Sequence, residues 1–130
     1  MRVIAKSGLP SVVIDGETAA HIFQGVSAGT TVSAFIVDVA GQVGPDRHTH
    51  PYDEVFVIVE GNVRIEAGDE VVDGTPEQIV VVEARVPHTF YNLGPGPARM
   101  VNIHAAERAV TEFTADRHGH NDSYQYAREN

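Results

Sequence analysis

Apolar positions gather in short runs of four to eight residues, rich in Val, Ile and Phe, each closed by Gly, Pro, Asn or Asp. Runs this short are poor helices, and their β-branched and aromatic residues pack well on a pleated surface, so they predict strands. The predicted strands cover residues 11–14, 19–23, 31–39, 47–50, 53–60, 63–67, 78–82, 87–92 and 99–104. So many short strands in a chain of 130 residues predict an all-β sandwich or barrel. Between Glu60 and Val63, Gly61-Asn62 supplies the positive φ of a tight turn and predicts that the flanking runs pair as a hairpin. Leu93-Gly94-Pro95-Gly96-Pro97 cannot continue a ladder, because proline lacks the N–H donor, and is read as a link between two further antiparallel strands. Residues 105–114 read equally as a short C-terminal helix or a last strand. Beyond them the sequence is almost wholly polar. The expected organisation is a single domain over 1–115 and a polar tail over 116–130 that moves freely or lies on a partner chain.

Composition narrows the classes of function. One chain of 14.0 kDa supports one core, with 42% hydrophobic and 21% charged residues in the ordinary globular range. Nine Lys and Arg against 18 Asp and Glu give a net charge of -9. That field repels phosphate backbones and anionic headgroups, so neither nucleic acid nor a membrane surface is an expected partner. Without cysteine there is no disulfide, thiolate metal site or thiol nucleophile. Arg2, Lys6, Asp15 and Glu17 interrupt the first twenty residues where a secretory signal would be apolar, and a cytoplasmic location is expected. The longest stretch free of charged residues, 18–37, holds Gln24, Gly25, Gly29, Thr30 and Thr31 and is too polar to span a bilayer.

The centre of the chain carries the chemistry. It reads His48-Thr49-His50-Pro51-Tyr52-Asp53-Glu54, with His88 on a later strand. Histidines at i and i+2 share one face of a strand, and imidazole is the commonest transition-metal ligand. If Glu54 returns to that face from the next strand, three imidazoles and a carboxylate leave one or two positions of an octahedral ion open to water or substrate.

His48-x-His50-x3-Glu54-x6-Gly61 closely resembles the first motif of the cupin superfamily from its first histidine onward, and His88-x3-Asn92 resembles part of the second. The chain departs from the pattern in two places. The upstream glycine is displaced, with Gly41 seven positions and Gly44 four positions before His48. Glu83 and Arg85 stand where proline and glycine precede the second-motif histidine. The resemblance spans about 31–104 and implies a small antiparallel jelly-roll β-barrel, of the single-domain metal-binding kind. It implies one divalent transition metal, Mn, Fe, Ni or Zn, held by His48, His50, Glu54 and His88 in the barrel mouth.

Other polar residues carry two readings each. His104 alternates with Asn102 and Met100, so all three can face the interior, where His104 is either a proton-transfer group or a core histidine. Tyr52, beside the ligands, and Tyr91, on the strand of His88, are further candidates for catalytic proton transfer. Phe56, Ile58, Phe90 and Tyr91 are expected in the lining and core. Arg64 either binds an anionic substrate inside the barrel or faces solvent. His118-Gly119-His120 repeats the His-x-His spacing in a polar context that argues for solvated rings. Gly25-Val26-Ser27-Ala28-Gly29 matches a nucleophile-elbow pattern, but no α/β sheet is available to build one, and it is read as a loop. Asn121-Asp122-Ser123 is a formal glycosylation sequon without a secretion signal. The expected function is that of a mononuclear metal enzyme acting on a small organic molecule, by dioxygen insertion, isomerisation, decarboxylation or lyase chemistry. The alternative is a non-catalytic module that binds a metal or metabolite. A homodimer is expected, through apolar surface on the strands at 11–14 and 19–23.

Overall fold

A computed structural model describes residues 1–114 and the backbone of Gln125–Tyr126. The strands are β1 (Ser11–Ile14), β2 (Glu17–Phe23), β3 (Ser33–Val39), β4 (His48–Thr49), β5 (Glu54–Glu60), β6 (Val63–Ala67), β7 (Glu70–Gly74), β8 (Ile79–Val82), β9 (His88–Asn92), β10 (Ala98–His104), β11 (Glu112–Phe113) and β12 (Gln125–Tyr126). They form a seven-stranded sheet in the order β12-β1-β2-β3-β10-β5-β8 and a five-stranded sheet in the order β11-β4-β9-β6-β7. The paired strands run antiparallel in both. This is the all-β antiparallel barrel that the sequence resemblance implies.

All nine strands read from the sequence are present, with ends shifted by at most two residues. Glu-Val-Val-Asp-Gly at β7 was not among them. It lies on the rim of the five-stranded sheet with both valines exposed, so burial leaves no alternation there. The segment 105–114 supplies β11 and no helix. Gly25–Ala28 is one 3₁₀ turn, in keeping with a loop, and Gly25 N–H is received by the hydroxyl of Ser33.

Two pairings expected from the sequence are corrected. β5 and β6 do not form a hairpin: β5 pairs with β10 and β8 in one sheet, and β6 with β7 and β9 in the other. Gly61 does take positive φ, +89°, but its turn carries the chain between sheets, and a Cβ there would lie 2.4 Å from the Pro97 carbonyl oxygen. The loop 93–97 does the same, so β9 and β10 lie on opposite walls and not on one. Asn92 shapes that loop from beneath: its side-chain nitrogen donates to the carbonyls of Val39, Gly41 and Gly96, and its oxygen accepts from Gly94 N–H.

The core fills the space between the sheets. Val12, Ile14, Ala20, Ile22, Val37, Val39, Phe56, Ile58, Val82 and Met100 come from one wall, and Val63 and Ile65 from the other. The apolar residues of β1 and β2, expected on the surface, are thus largely spent inside. Phe90 packs on Phe56 with ring centroids 5.7 Å apart. Tyr91, its neighbour, points the other way, since successive side chains on a strand alternate between faces.

Candidate metal centre

The strands meet at one end of the barrel, where two cross-strand pairs face each other. His48 on β4 is in register with His88 on β9, in the five-stranded sheet. Glu54 on β5 is in register with His104 on β10, in the seven-stranded sheet. His50 follows β4 and completes the ring. All five are at most 5% exposed. One ligand atom each from His48, His50, Glu54 and His88 falls within 4.8 Å of the other three, as the spacing predicts.

Backbone carbonyls fix the imidazoles. Nδ1 of His48 lies 2.6 Å from the oxygen of Asp46, Nδ1 of His50 2.7 Å from that of Val110, and Nδ1 of His88 2.9 Å from that of Val86. A carbonyl can only accept, so each Nδ1 carries the proton and a neutral ring leaves an Nε2 lone pair for the centre. Nε2 of His50 and Nε2 of His88 both lie 3.0 Å from Oε1 of Glu54, and His50 Nε2 has no hydrogen-bond partner. Lone pairs facing a carboxylate repel one another unless protons or a cation lie between them. The donor set therefore fits a divalent ion, with three imidazole nitrogens and one oxygen.

Charge supports the same assignment. Burial, reinforced by the neighbouring His88, lowers the pKa of His48 to about 3 and keeps that ring neutral, the form that ligates. Burial alone would raise the carboxyl of Glu54, but the imidazoles around it, His104 first and then His50 and His88 when their Nε2 atoms carry protons in place of an ion, outweigh burial and hold the group ionised well below its ordinary value.

The other sequence candidates separate cleanly. His104 is inward with Asn102 and Met100, as their alternation predicts. Its Nε2 is 3.4 Å from Glu54 Oε2, its Nδ1 is 2.6 Å from the Tyr52 hydroxyl, and its ring stacks on Phe35. Tyr52 stacks on His50 with the planes 6° apart and receives Val110 N–H at its hydroxyl. Tyr91 does not reach the site. It stands opposite Arg64 on the outer face of the five-stranded sheet, where Arg64 pairs through two nitrogens with Asp73 and donates to the Tyr91 hydroxyl. The reading of Arg64 as an internal anion site falls with it. His118, His120 and the sequon lie outside the described residues.

Behind the ligands a cavity of about 40 Å³ runs into the barrel, lined by Val12, Ile14, Phe35, Val37 and Phe90, among others. Asn102, which strand parity places inside, lines it, and so does Thr111, which carried no signal in the sequence.

The family model described as a cupin domain matches residues 35–104, more than half of the chain. The protein belongs to the cupin family. Its sequence matches no curated protein. Among solved structures it is similar to Lactobacillus farciminis oxalate decarboxylase in a formate complex, with TM-score 0.66, 16% identity, and 73% of this chain and 31% of that one covered. It is also similar to an oxalate oxidase in complex with the substrate analogue glycolate, with TM-score 0.62, 19% identity, and 73% and 55% covered. A third is an uncharacterised conserved protein with a double-stranded β-helix domain from Klebsiella pneumoniae, with TM-score 0.61, 17% identity, and 85% and 84% covered. The cupin spans about a third of the decarboxylase and about half of the oxidase, and at these identities the likeness shows the fold alone. Among the described residues no helix is long and apolar enough to cross a membrane.

Proposed function

We propose that this cupin is a mononuclear metal enzyme acting on a small organic molecule. The observation that carries the reading is the convergence of three Nε2 lone pairs and the Glu54 carboxylate, each ring locked by a carbonyl, at the head of a mainly apolar cavity. His48, His50, Glu54 and His88 would hold the ion, which when bound supplies Lewis-acid polarisation of a substrate oxygen or redox chemistry with dioxygen. The reaction type stays within the four classes set by the family resemblance.

The remaining groups favour an enzyme over a binding module. With Tyr52 donating to Nδ1 of His104, the ring's own proton sits on Nε2 and faces Glu54 Oε2. Tyr52 is half-buried, so a chain of exchangeable protons leads from the rim to the carboxylate. A module that only holds its ligand has no use for such a chain.

Elemental analysis of untagged protein is expected to give about one divalent ion per chain, and His50→Ala is expected to empty the site. Wild-type metal content in the variant with all four ligands replaced by Ala would refute the assignment.

A further inference from the structure

We propose that Gln24 is a positioning residue of the metal centre: acting through the backbone of Ala109 and Val110, it decides which nitrogen of His50 faces the ion. The inference rests on the metal-centre reading above and adds to it a control point outside the ligand set.

His50 differs from the other two histidines in how its ring is held. Nδ1 of His48 and Nδ1 of His88 bond to carbonyls two residues before their own positions, so the local strand orients them. His50 lies just beyond β4, and its Nδ1 bonds to the carbonyl of Val110, 60 residues further along the chain. Its stacking on Tyr52, with the planes 6° apart, fixes the plane of the ring but not its sense, because a half-turn about Cβ–Cγ keeps the plane and exchanges nitrogens for carbons. The Val110 carbonyl selects the sense. Since a carbonyl can only accept, it also keeps the proton on Nδ1 and the lone pair on Nε2. A second polar atom near Nδ1, the Thr111 hydroxyl at 3.5 Å, can donate as well as accept and would tolerate the tautomer whose Nε2 cannot ligate.

The Val110 carbonyl belongs to the segment 105–111, which is part of no strand, and the Val110 side chain is 43% exposed, so neither a ladder nor burial holds it in place. Hydrogen bonds on both sides do. From Glu112 onward β11 pairs with β4. On the other side the 3₁₀ turn Gly25–Ala28 clasps the segment. Ser33 Oγ receives Gly25 N–H and donates to the Ala106 carbonyl, and Val26 N–H donates to the Glu107 carbonyl. Gln24, at the head of that turn, reaches furthest: its Oε1 receives Ala109 N–H at 2.7 Å, one residue from Val110. A Cβ on Gly25 would fall 2.3 Å from the Val32 carbonyl oxygen, so the glycine lets the turn seat Gln24 against the segment.

Three consecutive peptide groups thus each meet a different side chain. Ala109 N–H donates to Gln24, Val110 N–H to the Tyr52 hydroxyl, and the Val110 carbonyl accepts from His50. Peptide groups are planar and stiff, so a shift of the first is passed to the third. Without an acceptor at Gln24, the part-buried Ala109 N–H would turn toward water and draw the Val110 carbonyl off the imidazole.

The test uses full-length protein loaded with zinc, which is diamagnetic and leaves each ligating histidine a single ring N–H. NMR of wild type is expected to show these three N–H resonances exchanging slowly with water. In Gln24→Leu the His50 resonance should shift and exchange several-fold faster, while those of His48 and His88, bonded locally, stay as they were. Zinc affinity, measured against a competing chelator, should fall about tenfold. Gln24→Glu, which keeps an oxygen for Ala109 N–H, should restore both. An unchanged His50 resonance in Gln24→Leu overturns the inference, as does a Gln24→Glu variant that behaves like Gln24→Leu. So does a parallel change in all three resonances, or a Gln24→Leu chain that does not fold, since either makes Gln24 a residue of general stability. A wild type that takes up no zinc overturns the metal-centre reading along with this one, whereas the other failures leave that reading standing.

Discussion

The imidazole of His48 takes up a proton near pH 6.5 in an unfolded chain, but in the folded protein burial and the neighbouring His88 hold it off until about pH 3. Between those values the unfolded state binds more protons, so each unit of acidification costs the metal-free fold roughly 1 kcal/mol from this group. Glu54 acts in the same direction. Burial opposes its ionisation, yet in the metal-free protein His104, and His50 and His88 when protonated at Nε2, hold its pKa well below 4.5, so stability present above that value is lost as pH falls beneath it. The urea midpoint of metal-free protein should therefore decline steadily below pH 6.5, and His48→Gln should flatten the upper part of the decline. A wild-type midpoint that stays constant down to about pH 5 would contradict this. His104 yields a separate prediction, since it faces Oε2 of Glu54 while His50 and His88 face Oε1. His104→Gln should keep metal and melting temperature close to wild type while turnover falls by about 10²-fold or more and its pH profile changes. Loss of metal would instead make His104 a ligand. The cluster of His48, His50, Glu54 and His88 was legible because metal chemistry demands certain residue types and a strand's period of two puts His48 and His50 on one face. The carbonyls of Asp46, Val86 and Val110 that orient the rings were not, since any residue can supply a carbonyl. Parity also sets Tyr91 apart: with His88 and Phe90 facing inward, the residue between Phe90 and Asn92 must face out.

The strands themselves were legible, but the turns that pair them were misread, because positive φ at Gly61 fits a hairpin and a crossing between sheets equally well. What decides is whether strand edges are free, and both edges of β5 are taken by β8 and β10. The displaced glycine before His48 resolves in the same physical terms. A Cβ on Gly44 would fall 1.7 Å from the Phe90 carbonyl oxygen, whereas one on Gly41 would meet nothing within 4 Å. Gly44 is thus the position where the loop leading into β4 lies directly on β9, and it lets His48 and His88 stand in register. Gly44→Ala should destabilise the protein by about 1–3 kcal/mol and lower metal affinity, while Gly41→Ala should change the denaturation midpoint little. Equal effects would refute the assignment. Arg85 replaces the family's second displaced glycine and accepts its conformation outright: φ is +69°, and its N–H donates to the carbonyl of His50. The turn survived the substitution because this hydrogen bond anchors it to the ligand segment.

An antiparallel sheet in a small barrel commonly presents a polar outer face to water, and the seven-stranded sheet here does not. Val57 sits between Val101 and Ile79, and Val55 between Ile103 and Val81, while Val101 continues to Ile36, so the outward positions of β3, β10, β5 and β8 form one apolar grid. Ile79 is 67% exposed and Val81 53%. The expectation of a homodimer therefore rests on this face and not on β1 and β2, whose apolar side chains largely fill the core. A second copy fits it better than a foreign partner. Arg99 within the grid already lies near Asp38 and Glu60 of its own chain, and Lys6 borders the grid beside Ile36 and Asp38, so the charges at this face are few and gathered at one edge. A two-fold dimer would use this same patch on both chains. It would need to bury about 800 Å² per protomer, so the exposed aliphatic side chains of the grid would form its centre and the polar residues around them its rim. Light scattering at tens of micromolar is expected to give twice the 14.0 kDa chain mass. Ile79→Lys should shift the protein to the monomer, because two like charges would then meet near the axis, and should leave the metal content unchanged, because the site lies inside the barrel and owes nothing to the outer face. A wild-type monomer at that concentration would sink the claim, and so would a dimer that Ile79→Lys and Val81→Lys together fail to weaken.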